Sequence, residues 1–149
     1  MLTAEIKKYI DKSVLCWLAT SSLDHIPNVS PKEIFTYYNH TTIIIANIAS
    51  PQTVKNIKEN NNVCISFIDV FVQKGFQLKG IAKIITKNDP EYAAMQVPLL
   101  QLTGGKFPFA TITNIMVKDV KPIIAPKYIL YPETTEEQQI QSALEQYKP

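Results

Sequence analysis

The stretch Thr42-Ile43-Ile44-Ile45-Ala46-Asn47-Ile48-Ala49-Ser50-Pro51-Gln52-Thr53-Val54-Lys55-Asn56-Ile57 joins two unlike patterns at one corner. Thr42 to Asn47 has strong strand propensity and reads as a buried strand. From Ser50 the pattern is a helix start, a Ser cap followed by Pro at the first helical position. The spacing predicts a helix to about Asn60, with Val54 and Ile57 facing inward. Between strand and helix lies only the tight corner Ile48-Ala49-Ser50. The first N–H groups of a helix have no internal partner and carry the positive end of its dipole, which makes such a corner an anion site. Ser50 and Thr53 add hydroxyls at its mouth, and Lys55 and Asn56 add donors one turn later. The same residues also fit an ordinary capped helix, in which Ser50 and Thr53 bond their own backbone.

Upstream, Thr3 caps a first helix, Ala4 to Lys12, with Ile6, Tyr9 and Ile10 on one face. Val14 to Thr20 is a short strand ending in a hairpin turn at Ser21 to His25. Pro27 to Tyr38 is extended but carries Pro27 and Pro31, which predicts an edge, bulged or bent strand because proline has no ladder donor. Downstream, Val63 to Ile68 and Phe76 to Ile85 read as strands. The connection between them, Asp69 to Gly75, carries Val70, Phe71 and Val72 for packing. Asp89-Pro90-Glu91 starts a short helix whose end Pro98 disturbs, and Gly104-Gly105 marks a loop. Ala110 to Val120 is a long strand, and Thr134-Thr135-Glu136-Glu137 is a capping-box pattern. It opens a tail helix over about 134–147 with Ile140, Ala143, Leu144 and Tyr147 on one face. The tally is six strands joined mostly by turns too short for parallel crossovers, so the expected fold is mainly β: a six-stranded antiparallel barrel with peripheral helices.

Composition bounds the rest. The 149 residues, 46% of them apolar, suit one domain over 1–149 with a core that needs no disulfide or metal staple. No apolar run approaches the roughly 20 residues of a membrane span, and no secretory leader is signalled, so a cytoplasmic setting is expected. Net charge is a formal +2, and all 15 basic residues are Lys. Arg supplies the planar fork that reads guanine edges and grips phosphates two bonds at a time, so nucleic acid is not an expected partner. A bound phosphate must be held by Lys, hydroxyls and backbone N–H groups.

Two further segments offer ligand chemistry. Asn28-Val29-Ser30-Pro31-Lys32 is an interrupted strand whose free backbone groups suit a planar heterocycle, with Lys32 for a phosphate; taken alone, a surface strand with a solvated Lys is the commoner case. Gln77 in Gln77-Leu78-Lys79-Gly80 can donate and accept toward a pyrimidine edge, or can be an ordinary half-exposed strand Gln. Cys16 and Cys64 sit in apolar strands as small hydrophobes, and His25 and His40 have no metal-ligand spacing around them. Trp17 and the seven Tyr are expected to fill the core and its rim. No catalytic acid or base and no metal set is identified.

In their order these segments resemble the flavin-nucleotide-binding branch of the pyridoxamine 5′-phosphate oxidase-like superfamily, the FMN-binding split barrels. The resemblance rests on Leu15-Cys16-Trp17-Leu18-Ala19-Thr20, Pro27 to Lys32, Ala46 to Ile57, Val63-Cys64-Ile65-Ser66-Phe67 and Gln77 to Ala82. It implies a homodimer with FMN between the subunits and phosphate at the corner Ser50 to Asn56. It places the strand carrying Ser30, Pro31 and Lys32 along the flavin, Asn47 and Gln77 near the ring or ribityl chain, and Ser50, Gln52, Thr53, Lys55 and Asn56 at the phosphate corner, with Val29 and Ile48 also expected to bind the cofactor. The implied function is FMN binding, with a flavin-dependent oxidoreductase acting on a small-molecule electron donor or acceptor. A non-catalytic flavin module, or the same barrel holding haem or a deazaflavin, is the alternative. Many relatives carry Arg or Lys where this chain has Pro51 and Gln52, so Thr53, Lys55, Asn56 and Lys32 must compensate. True pyridoxamine-phosphate oxidases hold substrate with a C-terminal Arg segment, which is lacking here, so that activity is not expected.

Overall fold

A computed structural model describes all 149 residues, Met1–Pro149. The strands are β1 (Cys16–Ser21), β2 (Pro27–Lys32), β3 (Phe35–Tyr37), β4 (Thr42–Ala46), β5 (Asn62–Asp69), β6 (Lys74–Thr86) and β7 (Thr111–Ile124). They form one antiparallel sheet in the order β2-β1-β5-β6-β7-β4-β3. Its two edges, β2 and β3, are consecutive in the chain and separated only by Glu33 and Ile34. Three virtual bonds span at most about 11 Å, so the sheet must curl until its edges nearly meet. No ladder joins them. The barrel is closed by covalent chain and left split along that seam.

The second of the six expected strands is thus two, which makes seven. Pro27 to Tyr38 breaks at Glu33-Ile34, because the chain leaves one sheet edge and joins the other there. Both halves are edge strands, which is where a ladder tolerates Pro27 and Pro31.

Five helices surround the sheet: α1 (Ala4–Lys12), α2 (Pro51–Glu59), α3 (Tyr92–Thr103), α4 (Pro126–Leu130) and α5 (Glu136–Gln146). Strand β4 is buried at every position because both of its faces are covered. Ile43 and Ile45 point into a 19-residue barrel core with Leu18, Ile65, Phe67, Leu78, Ile115 and the α1 residues Ile6, Tyr9 and Ile10. Ile44 and Ala46 face outward into a second, seven-residue core with Tyr92, Met95 and Leu99 of α3.

Several local expectations are corrected by this packing. In α2 the inward residues are Thr53, Asn56 and Ile57, while Val54 is only half-buried. Pro98 does not end α3, which continues to Thr103 around Met95 and Leu99. Asp89 closes the end of β6 instead of opening the helix, its carboxylate accepting from the Thr86 N–H and hydroxyl at 2.7 and 3.1 Å. Trp17 is 49% exposed, since alternation with the buried Cys16 and Leu18 turns it to the outer face. Only Tyr9 and Tyr92 among the tyrosines are buried. Between β5 and β6 only Val72 packs inward, with Val70 and Phe71 exposed. The capping box of α5 is formed by Thr135 with Gln138, and its inner face is Gln139, Ile140 and Ala143, with Leu144 and Tyr147 in solvent. No helix is long and apolar enough to cross a membrane.

Candidate functional site

The corner after β4 is built from backbone strain and hydroxyls. Ala49 sits in the left-handed region at φ 49°, a conformation that costs a non-glycine residue about 1–2 kcal/mol and is stored where surroundings over-determine it. Ser50 occupies the cap position of α2 but makes no side-chain capping bond. Its hydroxyl donates to the Ile48 carbonyl oxygen at 3.0 Å and accepts from the Lys32 ammonium at 2.7 Å. The expected Ser cap is therefore replaced by a cross-element contact, and the first α2 N–H groups keep no side-chain acceptor.

Lys32 is the centre of this cluster. It ends β2 with its side chain turned inward and is 7% exposed. Besides Ser50, its ammonium donates to the Thr53 hydroxyl at 3.1 Å, and Thr53 shares a hydrogen bond with Ser30 at 3.3 Å. No carboxylate pairs with the ammonium, for the chain's single ion pair is Lys74–Glu136. Burial holds the Lys32 pKa below its ordinary value, with the neighbouring Cys16 thiol a smaller opposing influence. The solvated-Lys alternative is thereby corrected: a β-edge residue becomes buried where α2 folds over the end of β2. Three hydroxyls, one ammonium and a helix N-terminus converge without an anion, a donor set that fits a phosphomonoester.

Asn56, 1% exposed, is not a free donor. Its amide donates to the Thr20 hydroxyl at 3.0 Å and accepts from Gln52 at 2.8 Å, which pins α2 to β1. Replacing Asn56 by Ala orphans the Thr20 hydroxyl and is expected to lower stability by about 1–3 kcal/mol, read as a fall in the urea midpoint. Asn47 is likewise engaged, donating to Thr111 at 3.1 Å and accepting from Thr113 at 2.8 Å, so it ties β4 to β7. Lys55 lies on the exposed side of α2, away from Thr53.

Two clefts flank the corner. One, of about 250 Å³, is lined by Pro31, Lys32, Glu33, Ile34, Ala46, Ile48 and Phe107 and opens at the barrel seam. The other, wider at about 580 Å³, is lined by Asn47, Ser50, Pro51, Val54, Lys55, Lys58 and Thr111. Gln77 enters neither. It stands on the outer sheet face in a cross-strand row, Pro31–Trp17–Ser66–Gln77, three strands and about 14 Å from Pro31. Val29 is exposed on that same outer face. Glu33, Ile34 and Phe107 were not signalled as site residues; the seam that collects them joins segments more than 70 residues apart.

Residues 2–114 match the family described as pyridoxamine 5′-phosphate oxidase, and the chain belongs to that family. Among solved structures it is similar to HupZ of group A Streptococcus, at 26% identity and TM-score 0.69 over 80% of this chain and 92% of that one. An FMN-binding protein of Syntrophomonas wolfei shares the fold at 16% identity and TM-score 0.69, over 83% and 87% of the two chains. So does an F420 reductase at 17% identity and TM-score 0.62, over 80% and 98%. No curated protein sequence matches the chain.

Proposed function

We propose that this chain binds FMN, with the phosphoryl group at the Lys32–Ser50–Thr53 corner, and acts as a flavin-dependent oxidoreductase. The observation that carries the reading is Lys32: a buried lysine against a helix N-terminus with no ion-pair partner. A phosphomonoester supplies that charge and accepts from the hydroxyls and free N–H groups together. Lys32, Ser30, Ser50 and Thr53 would hold it, and the charge that Pro51 and Gln52 lack comes from inside the fold. Pro31 and Ile48 line the adjoining cleft, while Asn47 and Asn56 keep β4 and α2 in register around it. The bound flavin supplies hydride or electron transfer. The fold is shared with an FMN-binding protein, which supports a flavin as the ligand.

The outer sheet face carries Trp17 and Val29 in solvent, and we assign it to a second copy of the chain. Gln77 and Val29 lie on that face, so they reach a flavin only where its ring runs between two protomers.

Titration of the purified full chain with FMN, riboflavin, haem and inorganic phosphate, with sedimentation velocity alongside, tests the reading. The expected result is a dimer that takes FMN in preference to riboflavin and releases it to phosphate. Thr53→Val should weaken FMN several-fold, whereas His25→Ala and His40→Ala should not change it. Haem uptake without FMN uptake overturns the proposal.

A further inference from the structure

Phe107 is a half-exposed aromatic ring, 53% accessible, at the mouth of the cleft that also contains Lys32. Its position is built, not incidental. Gly104 and Gly105 take φ 58° and 75°, conformations open to glycine, and reverse the chain after α3. The Thr103 hydroxyl accepts from the Gly105 N–H at 3.1 Å, and the Lys106 N–H donates to the Thr103 carbonyl at 3.1 Å, fixing the turn. On the other side Phe109 packs against the second core, and the Tyr92 hydroxyl donates to its carbonyl oxygen at 3.2 Å. The strap is thus held at both ends, and Phe107 lies between the two anchors. The same cleft is lined by Ile34, Ala46 and Ile48, apolar residues that flank β3 and β4.

Of the polar cluster at the corner, Lys32 is the one residue that also lines this cleft. A cation, three apolar side chains and an aromatic ring line this one cleft, with the exposed Glu33 at its rim, and together they match a flat ring carrying an anionic group. We propose that Phe107 is the ring-contacting residue of this site, stacking on the planar heterocycle of a ligand whose phosphoryl group Lys32 holds. This rests on the phosphate placement proposed above and adds the residue that reads the other half of the ligand.

The test separates the two halves. FMN, riboflavin and inorganic phosphate are titrated into wild type, Phe107→Ala, Phe107→Tyr and Lys32→Gln, following flavin fluorescence and, for phosphate, thermal shift. Phe107→Ala is expected to weaken FMN and riboflavin by about three- to tenfold, the range of an aromatic pair. It should also raise the fluorescence of bound flavin and leave phosphate binding unchanged. Phe107→Tyr keeps the ring and should restore flavin affinity. Lys32→Gln should weaken FMN and phosphate but not riboflavin. Unchanged flavin affinity in Phe107→Ala, or an equal loss of phosphate there, overturns the ring contact. Unchanged phosphate binding in Lys32→Gln overturns the phosphate placement instead, and the riboflavin titration of Phe107→Ala still decides the ring contact alone.

Discussion

Lys32→Met is expected to weaken FMN by about ten- to a hundredfold while leaving the ligand-free protein at least as stable as wild type. A hydrogen bond to a charged group contributes about 1.5–3 kcal/mol, which sets the affinity loss. The stability gain has a different origin. A lysine only 7% exposed and without a carboxylate partner carries a desolvation penalty that hydroxyls offset only in part, and Met fills a similar volume without it. The pH dependence follows from the lowered pKa. Burial makes the folded chain bind this proton less readily than the unfolded chain, whose Lys titrates near 10.5. The unfolded state therefore holds the extra proton between the depressed value and 10.5, and stability rises with pH across that window. Below it the penalty is fully present. Thermal melts of both proteins from neutral pH upward should show the advantage of Met shrinking as pH rises. Phosphate should stabilise wild type most at the low end, where Lys32 is charged. A Met variant less stable than wild type without ligand would mean that the ammonium is a net structural asset.

The second large effect is expected at Gly75. It faces Ile68 across the β5–β6 pair, close to the Lys74–Glu136 contact that holds α5. A Cβ there would run into the Phe67 carbonyl oxygen and stand 2.7 Å from the Ile68 Cα. Both obstacles are backbone, so no rotamer change relieves them. Gly75→Ala should cost about 3 kcal/mol or more, at the upper end for overpacking, because a strand of the barrel must shift. Chemical denaturation with intact far-UV spectra measures it. A loss under about 1 kcal/mol would show that β6 slides freely against β5, contrary to the paired register of Asn62–Asp69 with Lys74–Ile81.

Most of the elements were legible in the chain because they are written in local terms. Pro51 after Ser50 starts α2, Thr3 caps α1 with its hydroxyl accepting from the Ile6 N–H at 3.2 Å, and Pro27 with Pro31 marks an edge. Where local and long-range forces compete, the reading failed. Val54 fits an apolar helix face by composition, yet Thr53 and Asn56 point inward because Lys32, Ser30 and Thr20 wait there with hydrogen bonds. Pro98 lacks the donor for its turn, but Met95 and Leu99 bury enough apolar surface to carry α3 past it. Trp17 invites a core placement by size, and strand alternation puts it outside.

The site divides in the same way. That Ser50 to Thr53 forms a polarised corner follows from the sequence by itself, since a strand, a short bend and a helix started by Pro51 involve neighbours only. That Lys32 bonds Ser50 and Thr53 there, that Asn56 bonds Thr20 and that Phe107 lines the adjoining cleft are decided by tertiary structure. Those facts depend on which sheet edge each half of 27–38 joins, and on how the turn after α3 comes back over β4. Such contacts join residues from 18 to about 75 positions apart, and their energies arise only when the sheet curls far enough to bring its two edges together. Propensity and spacing describe a chain along its length; burial of an unpaired charge is a property of what lands beside it.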